Sequence, residues 1–287
     1  MDYRVGSDLS LARYLLGISL EESAREMNIE RITLFRIEAK ETYPNQKTID
    51  FIYSYIYKKG ININEIKATF YDEEMISGKL LIHGSKSYID GEISPFKGRK
   101  YSDFGQAFYC AESVEQTTSF VTKFEDSCLY ILDFDEKGLK RYDFEVNQEW
   151  MLAVAYFRGT LEKYKNHPKI LEVINKIKSV DYVIAPIADN RMFSIIDQFI
   201  EGLITDEQCQ YSLASTNLGK QYVFLTSKAT SHLKILEKCY ISSEERKHLE
   251  KVKESNNELS ENKVKEVMRT FRNKGKYIEE ILDETNK

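Results

Sequence analysis

Apolar residues recur every three or four positions through residues 1–75, which predicts a run of helices. In the first predicted helix Leu11, Leu15 and Leu16 recur at helical spacing, and Gly17 ends the pattern. A long apolar helix is predicted to begin at Thr48, and its apolar residues are Ile49, Ile52, Tyr53 and Ile56. Residues 1–75 are therefore predicted to form an all-α domain.

Two short helices are predicted between these. Ser19 is a good N-cap residue, and Glu21 and Glu22 suit the first turn of a helix, so the second helix begins there and ends near Asn28. A third helix is predicted over roughly 32–39. The expected order is helix, tight turn, helix and supporting helix.

From residue 79 to about 240, short apolar runs are separated by stretches of helical periodicity. Strands are predicted at 80–83, 128–134, 182–185 and 221–225, and helices at 115–123, 148–158, 168–179 and 192–201. Because strands and helices do not alternate regularly, the predicted fold class is α+β.

Residues 241–287 are rich in Glu, Lys and Asn. The run from Ser242 to Glu245 is typical of a helix start, and a second amphipathic piece is predicted from Lys263 to Leu282. This segment is predicted to be a charged helical tail that faces solvent or docks on a partner. The predicted domains are therefore 1–75, 79–240 and 241–287.

Composition favours an ordinary globular protein, with 42% hydrophobic and 30% charged residues. No apolar run approaches the ~20 residues needed to cross a bilayer, and the first residues lack the layout of a signal peptide, so a cytoplasmic location and no membrane partner are expected. The net charge of −5 argues against a protein that coats nucleic acid by charge alone.

The cysteines and histidines are scattered along the chain, without a Cys-x-x-Cys pair or any other metal-ligand spacing. We therefore expect no metal. The cysteines are interpreted as buried free thiols; they are Cys110, Cys128, Cys209 and Cys239.

Residues 15–24 and 28–38 resemble the helix-turn-helix domains of phage-repressor type. The resemblance implies core positions at Leu20, Ala24 and Ile37, and groove-facing positions at Glu30, Arg31 and Thr33. Charge complicates this interpretation, because residues 1–78 carry ten Lys or Arg against thirteen Asp or Glu, a net −3. Two interpretations stay open: DNA binding through Arg31 and Thr33, or a helical protein-interaction or autoinhibitory domain.

Two segments carry the candidate chemistry: Leu81-Ile82-His83-Gly84-Ser85 and Phe104-Gly105-Gln106-Ala107-Phe108-Tyr109-Cys110-Ala111. Together they resemble the ADP-ribosyltransferase fold, on the branch shared by diphtheria toxin and the poly(ADP-ribose) polymerases. There a strand ends in His-Gly-Ser or His-Gly-Thr, and a second segment reads Phe-Gly-x-Gly-Ile-Tyr-Phe-Ala. Thr117 and Phe120 stand where that branch has a hydroxyl residue and a second aromatic. The resemblance implies a split β-sandwich with helices.

The resemblance also implies that NAD is the substrate, and it assigns roles to individual residues. His83 would bond a ribose hydroxyl, the Gly84 backbone and Thr117 would bond the carboxamide, and Tyr109 and Phe120 would sandwich the nicotinamide ring. Ser85 would contact the adenosine ribose or only finish the strand.

The third position of the motif departs from that branch. The polymerases have a glutamate at the start of a late strand, where this sequence has Gln221. Glutamine can hydrogen-bond a ribose hydroxyl but cannot act as a base at neutral pH. Three outcomes stay open: transfer with the acceptor activated otherwise, slow NAD hydrolysis, or a domain that only binds.

A narrower resemblance covers about residues 80–236. The segments 97–109, 187–193 and 221–229 look like a bacterial family of ADP-ribosyltransferase-like domains found near toxin–antitoxin and phage-defence genes, long catalogued as a domain of unknown function. Glutamine at the third position is normal there, so the triad is His-Tyr-Gln. The resemblance therefore argues against an inactive relic.

Three further features allow two interpretations each. Either Asp189 or Asn190 caps the helix that begins near Met192, or Asp189 supplies the missing carboxylate. Arg191 belongs to that helix start or binds the NAD pyrophosphate. The basic loop of Lys97, Arg99 and Lys100 is a solvated loop, or it contacts NAD phosphate or a nucleic-acid acceptor.

The function predicted first is a mono-ADP-ribosyltransferase that cleaves the nicotinamide–ribose bond of NAD and modifies a protein or nucleic acid, as a toxin or anti-phage defence effector. The alternative is a helix-turn-helix transcription or antitoxin regulator whose second domain binds NAD or ADP-ribose without chemistry. A third hypothesis joins them: the N-terminal domain restrains the transferase in cis or binds an antitoxin.

Overall fold

The computed structural model describes residues 2–74, 76–216 and 219–284, and it is a mixed α and β protein with helices toward both ends of the chain. Over the described residues the helices are α1 (Val5–Leu16), α2 (Leu20–Met27), α3 (Arg31–Glu38), α4 (Gln46–Lys58), α5 (Ile63–Glu74), α6 (Val114–Ser119), α7 (Gln148–Arg158), α8 (Pro168–Lys178), α9 (Asn190–Ile200), α10 (Asp206–Ala214), α11 (Ser227–Thr230), α12 (Ser243–Thr270) and α13 (Ile278–Asp283). The strands are β1 (Lys79–Ser85), β2 (Phe108–Ala111), β3 (Cys128–Phe134), β4 (Arg141–Asp143), β5 (Tyr182–Pro186), β6 (Lys220–Phe224) and β7 (Leu233–Tyr240).

The chain divides into two compact units, each assembled from three separate segments. Unit 1 comprises Met1–Asp90, Ser113–Phe134 and Lys234–Lys253, and unit 2 comprises Gly91–Glu112, Asp135–Leu233 and Glu254–Lys287. This is a division by spatial contact. The predicted division along the sequence stays a prediction.

The N-terminal helices of unit 1 begin and end where the side chains predict. Ser19 accepts a hydrogen bond from the Glu22 backbone, and the Glu22 side chain completes a capping box, so α2 starts at Leu20. Asn28, in the left-handed conformation, ends it. The prediction that the fourth helix begins at Thr48 is wrong, because the Asn45 side chain accepts the Thr48 backbone N–H and the helix begins two residues earlier.

The strands of unit 1 follow the order β1-β3-β7. β1 and β3 pair antiparallel, with Leu81 opposite Leu132 and His83 opposite Tyr130. An apolar cluster under these strands joins them to α5 and α6; its members include Tyr71, Ile82, Val114, Leu129 and Ile131. Burial of these side chains fixes the register, since a one-residue slip would turn them toward the other face.

A cluster of buried charges also joins α1 and α5 to β7 inside unit 1. The Lys67 ammonium lies 2.5 Å from the Asp8 carboxylate and 2.7 Å from that of Glu237. The Tyr53 hydroxyl donates to Asp8, and the Tyr71 hydroxyl donates to Glu237. All three charged side chains are at least nine-tenths buried, so their mutual pairing offsets the loss of water.

The strands of unit 2 follow the order β4-β5-β6-β2. β5 pairs antiparallel with β6, β6 pairs antiparallel with β2, and β4 pairs parallel with β5. The helix α7 packs against this sheet, and its residues from Trp150 to Ala155 are all buried. α13 contributes Ile278, Ile281 and Leu282 to the same core.

Several predicted boundaries change. α6 ends at Ser119 rather than 123, and the tail forms one helix, α12, to Thr270 followed by the short α13, rather than an amphipathic piece over 263–282. Within the described ranges, no helix has both the length and the apolar character needed to cross a membrane.

Candidate functional site

In unit 1 the His-Gly-Ser segment lies at the end of β1, as predicted. His83 is half-buried opposite Tyr130, with 6.4 Å between the ring centroids, and Ser85 closes the strand opposite Cys128. The side chains of His83 and Ser85 therefore share one face of the strand, and Gly84 faces the other way.

The structure brings Gly84 and Thr117 together. A Cβ atom at position 84 would lie 3.0 Å from the Thr117 methyl, 3.1 Å from the Thr117 carbonyl oxygen and 3.2 Å from a Val121 methyl. A larger residue would therefore push these neighbours away by a few tenths of an ångström. Ser113 caps α6, and the buried Thr117 hydroxyl donates to the Ser113 carbonyl at 2.7 Å. The two residues predicted to hold one carboxamide are thus neighbours.

Phe120 follows directly after α6 and is 42% exposed. The ammonium of Lys253 lies 5.5 Å from the centre of its ring and donates to the Ser119 carbonyl at 3.3 Å. An exposed aromatic face beside a cation is available to stack on a flat ligand. Sequence reasoning did not single out Lys253.

In unit 2 the register places Tyr109 and Gln221 on one face of the β2–β6 pair. Ala111 lies opposite Gln221, and Tyr109 lies opposite Val223. Because alternate residues of a strand share a face, Tyr109 and Ala111 face the same side as Gln221, and Tyr109 is its diagonal neighbour.

The Tyr109 hydroxyl holds the loop that precedes its own strand. It donates to the Gly105 carbonyl at 2.7 Å and accepts from the Phe104 backbone at 3.1 Å. Two features favour glycine at position 105. Its φ of +72° is one that other residues rarely adopt, and a Cβ there would lie 2.8 Å from the Phe157 ring. Burial, reinforced by the nearby Asp103 carboxylate, raises the pKa of Tyr109, which keeps the phenol neutral.

Gln221 is buried in a polar network that sequence reasoning missed. Its amide nitrogen donates to Asp103 at 2.8 Å and to the Pro186 carbonyl at 2.9 Å. Asp103 is 5% exposed and also accepts the Ala188 backbone N–H at 2.9 Å. The sequence signal for Asp103 was its place inside the segment 97–109, directly before the Phe104-Gly105 loop.

The last residue of α7, Arg158, completes that network. Its guanidinium donates to Asp103 through two nitrogens, at 2.9 and 2.6 Å, and to the Ala188 carbonyl at 2.5 Å. It also lies 4.5 Å above the Phe193 ring. A buried carboxylate is therefore paired with a cation whose planar group is fixed by stacking.

Asp189 is the N-cap of α9, as one of its two interpretations predicts. One carboxylate oxygen accepts the backbone N–H groups of Arg191 and Met192, both at 2.9 Å, and the other lies 3.2 Å from the Arg191 guanidinium. Arg191 also donates to the Asn257 carbonyl. In the part of the chain that is described, Asp189 makes no hydrogen bond with Gln221.

The loop with Lys97, Arg99 and Lys100 is exposed but ordered by hydrogen bonds. The Gln106 amide donates to the carbonyls of Phe96 and Gly98, at 2.6 and 3.1 Å. Two aromatic rings of this loop are largely exposed, Phe96 at 65% and Tyr101 at 75%. Exposed rings between basic side chains suit a nucleic acid or a phosphate-bearing ligand.

The predicted helix-turn-helix positions lie on α2, α3 and the turn between them. Ala24 and Ile37 are buried and Leu20 is half-buried, whereas Glu30, Arg31 and Thr33 are exposed. Arg31 forms an ion pair with Glu21 at 2.7 Å. A contact with nucleic acid would have to compete with that pair.

The cysteine prediction is confirmed, since all four thiols are free and buried. Among the described residues, no group of three or more His, Cys, Asp or Glu side chains is arranged to hold a metal ion.

Comparison with known proteins gives one match. No curated protein and no solved structure was found to match the chain. A family described as a protein of unknown function (DUF3990) matches residues 80–235, more than half of the sequence. The chain therefore belongs to the DUF3990 family.

Proposed function

We propose that the chain is an NAD-dependent mono-ADP-ribosyltransferase that acts as a toxin or anti-phage defence effector. The observation that carries the proposal is the common face of Tyr109 and Gln221 on the β2–β6 pair. The contact between Gly84 and Thr117 gives independent support, because both residues belong to the same predicted carboxamide site.

In the proposed reaction the bond between C1′ of the ribose and the nicotinamide nitrogen breaks, and its electron pair leaves with nicotinamide. A nucleophile of the macromolecular acceptor, a protein or a nucleic acid, attacks C1′ and loses its proton to solvent. In unit 2, Tyr109 binds the nicotinamide ring and Gln221 bonds a ribose hydroxyl as charge develops on the sugar. The sequence resemblance assigns the same two roles to Phe120 and His83 of unit 1. Arg191 binds the pyrophosphate. No metal takes part in this scheme.

The Tyr109 ring is the group to test first. NAD labelled in the adenylate part reports transfer to macromolecules, and NAD labelled in nicotinamide reports bond cleavage. We expect Tyr109→Ala to lose at least about a hundredfold of both signals, because it removes the aromatic ring proposed to stack on nicotinamide. Tyr222→Phe is the matched control, since it removes a hydroxyl from the opposite face of the same strand pair, where Tyr222 bonds Glu112.

Each pattern of labels has a distinct meaning. Release of nicotinamide with no labelled macromolecule identifies an NAD glycohydrolase, in which water replaces the acceptor. No release and no transfer with the intact chain in cell lysate contradicts the proposal. Equal turnover by Tyr109→Ala and the parent protein refutes the site.

The alternative function, a DNA-binding or antitoxin regulator, draws on the capped α2, the short turn and the exposed face of α3. Mobility shifts of full-length protein on genomic DNA fragments test it, with Thr33→Ala as the variant and Ser10→Ala, on an exposed position of α1, as the control. Salt-sensitive and sequence-specific binding that Thr33→Ala weakens would favour the regulator.

The hypothesis of restraint in cis needs point variants rather than a deletion. Within unit 1 the N-terminal helices share a buried charge cluster with β7, and Asp50 of α4 accepts the Ser243 backbone at the start of α12. Removal of residues 1–75 would therefore leave Glu237 buried without Lys67 and would confound loss of restraint with loss of folding.

A further inference from the structure

Gln221 has a fixed orientation. Both groups that its amide nitrogen contacts, the Asp103 carboxylate and the Pro186 carbonyl, are acceptors only. The opposite orientation would set the amide oxygen against two other oxygens. Both hydrogens of Nε2 are therefore used in these two hydrogen bonds. Within the described residues, Oε1 accepts no hydrogen bond.

We infer that Asp103 is a positioning residue, which orients Gln221 so that Oε1 is offered to a hydrogen-bond donor of the ligand. Only the identity of that donor, a ribose hydroxyl of NAD, rests on the proposed function. The contacts that fix Gln221 are independent of any ligand.

Asp103 is suited to this role and not to that of a base. One of its oxygens accepts two N–H groups of Arg158, and the other accepts the Ala188 N–H and the Gln221 amide. Four donors occupy the lone pairs of the carboxylate, and it is 5% exposed. The negative charge thus stands behind the amide, where it polarises the amide and strengthens Oε1 as an acceptor.

The same contacts explain why this position carries glutamine. A glutamate at 221 would place a second carboxylate at hydrogen-bond distance from Asp103 and against the Pro186 carbonyl. Two carboxylates at that distance repel each other, and the Pro186 carbonyl offers neither of them a donor. Gln221 with Asp103 therefore supplies the acceptor oxygen that a lone glutamate supplies in the polymerase branch.

Nuclear magnetic resonance of the side-chain amides tests the orientation without any ligand. The intact chain is labelled with ¹⁵N-glutamine, and the Gln221 signal is assigned by its loss in Gln221→Glu. We expect both Gln221 amide protons to exchange with solvent at least about tenfold more slowly than those of an exposed glutamine. Asp103→Asn is expected to remove this protection.

Asp181→Asn is the control, because Asp181 is also a well-bonded carboxylate of unit 2. It accepts from the Lys140 backbone, Thr226 and Lys228, away from Gln221. The control variant is expected to keep the Gln221 protection. Rapid exchange of Gln221 in the parent protein, or unchanged protection in Asp103→Asn, would overturn the inference.

NAD turnover gives a second test, because the two explanations of position 221 predict changes in opposite directions. If position 221 only needed a carboxylate, Gln221→Glu would raise NAD turnover, whereas we expect a loss of about tenfold to a hundredfold. The kcat/KM of Asp103→Asn is expected to be lower than that of the parent protein by a similar factor. Higher turnover in Gln221→Glu would contradict the positioning role. If the Gln221 amide protons exchange slowly but the protein neither binds nor cleaves NAD, the positioning role of Asp103 is supported and only the proposed function is contradicted.

Discussion

Each unit buries an aspartate against a cation, but the two clusters end differently. In unit 1, Asp8 faces Lys67 and the Tyr53 hydroxyl, and Lys67 reaches a second carboxylate, Glu237. In unit 2, Asp103 faces Arg158 and then an uncharged amide, Gln221, whose oxygen is left for another partner. In the first cluster, here called closed, every charged group pairs with another side chain of unit 1, including Arg4, which lies 3.5 Å from Glu237. In the second cluster, here called open, one atom, Gln221 Oε1, is left for another partner.

That difference separates a stabilising role from a binding role. A closed cluster of buried charges holds elements together, and its loss is felt as unfolding. An open cluster orients a group that contacts a ligand, so removing the cluster lowers the affinity for that ligand or the rate of its reaction. Variants of the two clusters are therefore expected to separate stability from activity.

The largest effect on stability is expected for Lys67→Met. The variant leaves Asp8 buried without a cation and Glu237 with only the exposed Arg4, 3.5 Å away, which costs about 3–5 kcal/mol of unfolding free energy. Urea unfolding measures the loss. Lys58→Met is the control, because Lys58 is exposed and its pair with Glu244 spans 3.5 Å, so about 0.5 kcal/mol or less is expected. Equal losses in both variants would show that the cluster in unit 1 is not a stabilising one.

The matched change in unit 2, Asp103→Asn, is expected to be milder. Arg158 keeps its hydrogen bond to the Ala188 carbonyl and its stacking on Phe193, and asparagine still provides one acceptor, so about 1–2 kcal/mol is lost. The ratio of activity lost to stability lost is then larger than for Lys67→Met. If Lys67→Met lost more activity per kcal/mol of stability than Asp103→Asn, the two clusters would not differ in role as proposed.

A smaller effect, which depends on pH, is expected at Glu245 in unit 1. Burial raises its pKa from 4.5 to about 7, with the Glu65 carboxylate adding to the shift and the Ser242 backbone, Arg246 and Asn64 opposing it. The folded state therefore holds a proton between pH 4.5 and 7 that the unfolded state has released. Stability is expected to fall as the pH rises through this window.

Glu245→Gln tests the sign of that dependence. The amide imitates the protonated carboxyl, so the variant is expected to match the parent protein near pH 4 and to be about 1 kcal/mol more stable near pH 8. Thermal unfolding across pH 4–8 measures the difference. Glu115 and His248 line the same cavity of about 140 Å³ and remain unchanged in the variant. A variant that is less stable at pH 8 would contradict the raised pKa.

Local signals made much of the fold predictable. β3 has the predicted bounds because six of its seven residues from Cys128 are apolar, with Asp133 the exception. α7 has them because Asn147 caps its start and Gly159 ends it. β4 was missed, since its three residues, Arg141–Asp143, are half-exposed or exposed and show no apolar alternation. α6 is shorter than predicted, and its Thr117 and Thr118 hydroxyls donate to the carbonyls of Ser113 and Val114, a type of bond that slightly destabilises a helix.

The site was predictable only in part, for a related reason. Motif residues such as Gly84 and Tyr109 are recognised by their neighbours in sequence, and the structure places them beside Thr117 and on the face of Gln221. Asp103 and Arg158 act through partners that are far apart along the chain. Their roles follow from three-dimensional contact, so periodicity and spacing could not identify them.

The smallest effect on stability, and a selective one on function, is expected in the exposed loop of unit 2. The variant Arg99→Ala/Lys100→Ala removes two exposed cations and leaves the bonds from Gln106 to the Phe96 and Gly98 carbonyls in place, so stability is expected to change by less than about 0.5 kcal/mol. If the loop receives a nucleic-acid acceptor, transfer falls and becomes less sensitive to salt, while nicotinamide release stays unchanged. Lys178→Ala, on an exposed position of α8, is the control. A parallel fall in transfer and nicotinamide release would instead show that these cations bind the phosphates of NAD. The ligand-binding part of unit 2 would then include this loop as well as the Gln221 amide oxygen.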